Sequence, residues 1–248
     1  MKATVRYDGT DFSGWQVQPG RRTVQGAIEE ALGKCARAHV RIQGAGRTDA
    51  GAHALGQVFS CDWPGSVSAE RIRRSLNKML APEITIVEIE ATEPGFHARK
   101  SAVAKRYAYN LSLAKAPDPF SARYAWLLPG PVRLDQVLAL AQRLVGEHDF
   151  AGFQASRASA QNTVRTIHSI ELYRGGVIGP MDDANLWRLE FYGSGFLYKM
   201  VRNIMGTLIS IARGNLPEAR LAERLASPGP YYGHTVPAHG LVLVNVEY

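Results

Sequence analysis

The spacing of apolar residues switches between two periods along this chain, and the order of the switches leaves few folds open. "MKATVRY" places apolar side chains at every second position, as a strand with one buried face requires. In "TVQGAIEEALGKCA" the period lengthens, with Val24, Ile28, Ala31, Leu32 and Cys35 recurring at helical spacing. Two strands are expected next, at about 39 to 45 and 54 to 62. A helix over "SAERIRRSLNKML", capped by Ser68, and the strand "ITIVEIE" after Pro82 complete the order β-α-β-β-α-β.

The rest of the chain repeats that order with longer insertions. Strands are expected near 102 to 113, 122 to 128, 164 to 174 and 186 to 193, and helices at about 133 to 145, 197 to 213 and 217 to 226, before the last strand "LVLVNVEY". The expected fold is therefore α+β, two ferredoxin-like halves at residues 1–100 and 101–248. Each half should carry an antiparallel sheet with helices on one face. The simplest union sets the two sheets edge to edge as one extended sheet, which removes two exposed edges.

Lys and Arg number 29 against 22 Asp and Glu, a net charge of +7. With a pI near 9.5, this favours an anionic partner, a nucleic acid first. Cys35 and Cys61 have neither zinc-ligand nor redox-pair spacing, and fit buried thiols in a reducing cytosol. The seven histidines, His39, His53, His97, His148, His168, His234 and His239, lack ligand spacing, so no metal is expected. No stretch approaches the roughly 18 apolar residues of a membrane span, and the strand-like N-terminus does not read as a signal peptide. A soluble cytoplasmic protein without membrane contact is expected.

Chemistry could reside in "GAGRTDAGAHALGQV", residues 44 to 58. A dinucleotide fingerprint would need a third glycine where Asp49 stands, and a Walker loop would need a lysine that is missing. Gly44, Gly46 and Gly51 would let the backbone take positive φ and approach a ligand, with Asp49 at the tip. Turn chemistry alone also favours Asp and Gly, so spacing does not separate a plain turn from a site. A reacting carboxylate in a cleft needs a cation to stay ionised, and Arg47 is a local candidate. Basic side chains suited to phosphate are Arg71, Arg74 and Lys78, a stripe opposite Ile72, Leu76 and Met79. Arg21 and Arg22 are further candidates, with Arg157 and Arg165 in the polar stretch "QASRASAQNTVR".

"GRTDAGAHALGQV" resembles the signature loop of the tRNA pseudouridine synthase A family. The likeness continues in order through "YDGTDFSGWQVQ", "RTVQGAIEEAL", "FHARKSAVAKRYAY", "HDFAGF", "FLYKMVRNIMG" and "PAHGLVL". Ala52, where the family more often has valine, and Val236 are apolar departures outside the chemistry. The resemblance implies the pseudouridine synthase fold and an isomerisation of uridine at positions 38 to 40 of the tRNA anticodon arm, with no cofactor. It makes Asp49 catalytic, either as a nucleophile at ribose C1′ or as a base at C2′. It pairs Asp49 with Arg202 of "KMVRN" and stacks Tyr107 on the target uracil, with a role in proton transfer at C5 left open. Tyr109 is the same-face neighbour of Tyr107. Leu241 would pack against the uracil, and Arg47 would stand beside the displaced base, which must leave its stack to react. A homodimer is also implied.

Periodicity alone reads several of these residues more plainly. Leu197, Met200, Val201, Ile204, Leu208 and Ile211 form a core stripe from which Arg202 lies roughly 120° away, a position suited to a solvated arginine. Tyr107 and Tyr109 suit strand packing, and Arg47 could simply pair with Asp49. The rival functions are a non-catalytic RNA-binding module, whose aromatic signature "EFYGSGF" fails to match, and a two-carboxylate glycosidase, which lacks a motif for the second acid.

Overall fold

The computed structural model describes residues 1–128, 130–156, 162–179, 183–226, 229 and 231–248. The fold is α+β and divides into two compact units, Met1–Val103 with Val242–Tyr248, and Ala104–Leu241. In the first unit the elements are β1 (Lys2–Tyr7), α1 (Val24–Ala36), β2 (Gln43–Gly44), β3 (His53–Ser60), α2 (Ala69–Leu80) and β4 (Ile84–Glu90). β1 lies between β3 and β4, antiparallel to both, with Lys2 opposite Ser60 on one side and Glu90 on the other. Ala3, Val5 and Tyr7 turn inward, as the alternation of the first strand requires.

The closing strand, Leu241–Glu247, runs parallel to β3 through Val242 opposite His53 and Leu243 opposite Ala54. Element order assigned this strand to residues 101–248 and expected antiparallel sheets. Its pairing with β3 instead joins it to the first unit and introduces one parallel pair. Gly56 makes the approach feasible, because a Cβ there would lie 2.5 Å from the Val244 carbonyl oxygen.

α1 is capped by the Thr23 hydroxyl, which accepts from the Gly26 N–H at 3.2 Å. The strand expected at 39 to 45 shrinks to two residues because α1 takes over its hydrogen bonds. Ile42 donates its N–H to Glu29 Oε1 at 3.0 Å, and its carbonyl accepts from Gln25 Nε2 at 3.3 Å. In α2 the buried stripe is Ile72, Leu76 and Leu80, whereas Met79 is 42% exposed, so the expected apolar face is rotated by one residue. Ser68 occupies the N-cap without a side-chain cap bond, and its carbonyl accepts from Arg71 and Ile72.

The second unit contains β5 (Ala104–Ser112), β6 (Trp126–Leu127), α3 (Leu134–Gln142), β7 (Gly146–Asp149), β8 (Val164–Arg174), β9 (Leu186–Gly193), α4 (Met200–Ala212) and α5 (Ala219–Ala226). Its main strands run β5-β9-β8-β7 in antiparallel pairs, and β6 adds to β5 in parallel. The closing strand is β10. β7, "GEHD", was not expected from sequence, since it contains no apolar alternation. α4 buries far more than one stripe, because Asn203, Met205, Gly206, Thr207 and Ile209 are enclosed together with the predicted core residues. Among the described residues, no helix is long and apolar enough to cross a membrane.

Candidate active site

The Asp49 loop joins β2 to β3, and residues 7 to 16 hold it from outside. Trp15 donates its N–H to the Thr48 carbonyl at 3.1 Å, and the hydroxyls of Tyr7 and Thr48 share a hydrogen bond of 2.8 Å. On the far side Gly51 N–H meets the Phe12 carbonyl at 3.4 Å, while Ala52 N–H closes a turn onto the Asp49 carbonyl at 3.1 Å. Gln57, buried on β3, donates Nε2 to the Gly46 carbonyl at 2.9 Å. Burial pushes the Tyr7 phenol well above its ordinary pKa, so it stays protonated at the base of the loop.

The glycines act differently from the expectation. Of Gly44, Gly46 and Gly51, only Gly51 takes positive φ, at 79°. Gly44 is extended, and a Cβ there would fall 2.5 Å from Trp15 Nε1, so its role is to admit the indole. The closest approaches are made by glycines of the partner segment. A Cβ on Gly14, at φ 87°, would lie 2.8 Å from the Thr48 carbonyl oxygen, and one on Gly9 would lie 1.9 Å from that of Ala52. These contacts make the loop a clamped turn. Thr48 is buried, Asp49 half-buried and Arg47 exposed, with Arg47 Nε donating to Gln16 Oε1 at 3.1 Å. The tip is thus held by its backbone and by the Thr48 hydroxyl, with Arg47 exposed beside it.

His53 closes the same arrangement at the start of β3. Its ring is fully buried, and Nδ1 accepts the Gly9 N–H at 3.1 Å. Asp8 Oδ1 lies 3.2 Å from the same nitrogen and accepts from Thr10 N–H and Oγ1, which makes it a neighbouring acceptor in the turn.

The second unit supplies the other candidate residues. Tyr107, on β5, is 7% exposed and meets Phe196 edge-on at 5.2 Å. Tyr109 is fully buried and donates its hydroxyl to the Pro237 carbonyl at 2.7 Å. Burial drives the Tyr109 phenol far above its usual range, and the nearby charge of Arg202 only partly offsets this. Gly240 rests against the same ring, since a Cβ would come 2.9 Å from Tyr109 Cζ. Tyr109 therefore fixes the short segment that delivers Leu241, itself buried, to the start of β10.

Arg202 sits in the first turn of α4, half-buried, with Nε donating to the Val236 carbonyl at 2.8 Å. The solvated reading of this arginine does not hold. α4 grips the neighbouring chain elsewhere as well: Thr235 Oγ1 donates to Asn203 Oδ1 at 2.7 Å, and Asn203 Nδ2 to the Phe153 carbonyl at 2.8 Å. Burial, reinforced by Arg202, holds the His239 imidazole below its ordinary pKa.

A family profile described as tRNA pseudouridine synthase matches residues 3–99 and 140–248. This chain belongs to the tRNA pseudouridine synthase family. It is 39% identical to tRNA pseudouridine synthase A of Bacillus subtilis (strain 168), over all of this chain and 98% of the relative. Identity is 37% to the protein of that name from Latilactobacillus sakei subsp. sakei (strain 23K), with the same coverage. It is 40% to that of Maridesulfovibrio salexigens, over all of this chain and 90% of the relative. Among solved structures, a Cbf5-Nop10-Gar1 complex is similar over 86% of this chain and 54% of the other, at 12% identity and a TM-score of 0.37, too distant to bear on the fold.

Within this synthase, the basic residues expected to meet phosphate differ in their engagement. Arg22 forms a two-pronged pair with Glu83, at 2.7 and 2.5 Å, and lies over the Phe12 ring. Arg21, Arg71, Arg74 and Lys78 are exposed, with Arg74 3.5 Å from Glu70. Arg165 is half-buried and donates to the Asn162 carbonyl at 3.1 Å, while Arg157 lies outside the described residues. Sequence reasoning missed Tyr7, Gly9, Gly14, Trp15, His53 and Gln57 as supports of the Asp49 loop. The glycines of "YDGTDFSGWQ" were the available signal, because glycines spaced off any strand period mark close backbone approaches.

Proposed function

We propose that this tRNA pseudouridine synthase, an isomerase, acts on uridines 38 to 40 of the tRNA anticodon stem and loop, with Asp49 as the reacting carboxylate. The observation that carries this reading is the clamped loop, which fixes the Asp49 backbone from both sides and leaves its side chain half-exposed. Such preorganisation is worth most where a side chain must meet a reacting carbon in one geometry.

The reaction balances without a co-reactant. The N1–C1′ bond of uridine breaks, the uracil turns, a C5–C1′ bond forms, and the proton lost from C5 is matched by one gained at N1. Asp49 takes part either by attacking C1′ or by removing the C2′ proton. Arg202 is the proposed ion-pair partner of Asp49, and its tie to the Val236 carbonyl limits the directions its guanidinium can take. Tyr107 is proposed to stack on the uracil, and Leu241 to pack against it, two buried apolar surfaces of the kind an extruded base requires. Arg47, exposed at the loop, would occupy the space the base leaves. Phosphate contacts are proposed for Arg21, Arg22, Arg71, Arg74, Lys78, Arg157 and Arg165, and a cytoplasmic homodimer as the working form.

The test incubates the protein with unmodified tRNA and maps pseudouridine along it. Modification at positions 38 to 40 is expected, and modification confined to other positions contradicts the target assignment. Tight tRNA binding without any pseudouridine would favour the binding module.

A further inference from the structure

The motif "FHARKS" is not used by the chemistry above, yet it is built firmly into the first unit. Ala98 is fully buried, donates its N–H to Ser60 Oγ at 3.0 Å, and accepts at its carbonyl from the Tyr248 hydroxyl at 2.9 Å. The turn closes on itself where Ser101 N–H donates to the His97 carbonyl at 2.9 Å. Arg99 N–H donates to His97 Nδ1 at 3.2 Å, which leaves the ring proton on Nε2 as an available donor. His97, Arg99 and Lys100 then line an open cavity of about 390 Å³ with Gln43.

Two features of this cavity bear on the ligand it could take. Its lining contains donors from two cations, an imidazole and an amide, and no carboxylate. Several exposed cations elsewhere are neutralised by neighbours: Arg22 by Glu83, Lys34 by Glu30, Arg133 by Asp135 and Arg143 by Glu218. Neither Arg99 nor Lys100 has a carboxylate at ion-pair distance among the described residues. Charge left unpaired on an anchored turn suits an acceptor-only anion such as phosphate.

Position points to which phosphate. Gln43 pairs with Ser60 at the end of β3 opposite His53, where the Asp49 loop rejoins the sheet. Asp49 itself follows Gln43 by six residues, so the two lie at most about 20 Å apart along the chain.

We propose that His97, Arg99, Lys100 and Gln43 form a binding site for an RNA phosphodiester, holding tRNA outside the Asp49 loop. This rests on the reading of tRNA as substrate. The backbone turn sets the donors in advance, so the site fixes register in addition to adding attraction.

The test compares wild type, the double variant Arg99→Ala/Lys100→Ala and the control Lys34→Ala, measuring tRNA affinity across KCl concentrations together with steady-state kinetics. The double variant should raise KM about tenfold, with the loss falling on KM and little on kcat. It should also lower the slope of log affinity against log salt by about two. Lys34→Ala should follow wild type, and superimposable melting curves confirm folding. A slope and KM equal to wild type in the double variant overturn the proposal. Inorganic phosphate at constant ionic strength is titrated in parallel. Tight phosphate binding that the double variant loses, with tRNA affinity unchanged, would assign the site to a free anion and also overturn it. If wild type itself shows no salt-dependent tRNA binding, the substrate reading fails, a result distinct from failure of this site.

Discussion

Gly14 lies outside the signature loop, yet the backbone of Asp49 depends on it. Its φ of 87° and the 2.8 Å from its missing Cβ to the Thr48 carbonyl mean that Gly14→Ala strains the turn in two ways. The expected cost is about 1–3 kcal/mol of stability by urea unfolding, with lowered turnover. A variant as stable and active as wild type would show that the loop is not clamped there. His53→Leu removes the acceptor of the Gly9 N–H and should cost about 1–3 kcal/mol. His53→Asn, whose Oδ1 can stand where Nδ1 stood, should recover much of that loss, and equal losses in the two variants would argue against the bond. Asp49 stood out as a candidate in sequence because its motif is contiguous. Gly14 and His53 were not, because their partners, Thr48 and Gly9, lie far along the chain and no local pattern reports such a contact.

At the level of elements, long periodic segments were legible and short polar ones were not. "ITIVEIE" and the stretches at 164 to 174 and 186 to 193 fold as the strands their alternation predicts. β2 was overestimated because side chains of α1 satisfy the Ile42 backbone, and β7 was missed because its four residues carry no alternation. α4 shows the limit of stripe reasoning. The apolar stripe was correct, but Asn203 and Thr207 were buried by hydrogen bonds that periodicity does not reveal. Gly206 on this helix provides a test with opposing terms. Helix propensity alone favours Gly206→Ala by about 1 kcal/mol, but the added Cβ would lie 1.9 Å from the His234 carbonyl oxygen. The clash should win, giving a net loss of about 1–3 kcal/mol by thermal or urea unfolding. A stabilised variant would mean that segment 231–236 does not rest on the helix.

For the whole molecule, charge and family membership point to the same partner. A net charge of +7 predicts tRNA binding that weakens steeply with salt, and a flat profile would count against phosphate contacts. Arg202→Ala is expected to remove nearly all turnover with a modest effect on tRNA affinity, since its proposed partner is Asp49 and not the RNA backbone. An unchanged rate would eliminate that pair. The family and its fold class were readable from seven separated motifs, whereas the return of β10 to the first unit was not, because strand pairing between distant segments leaves no periodic trace. The most direct measurement is pseudouridine formation on unmodified tRNA by Asp49→Asn beside wild type at matched tRNA occupancy. No detectable pseudouridine with tRNA still bound is the predicted result, and modification at the wild-type rate would contradict the assignment of Asp49 as the reacting group.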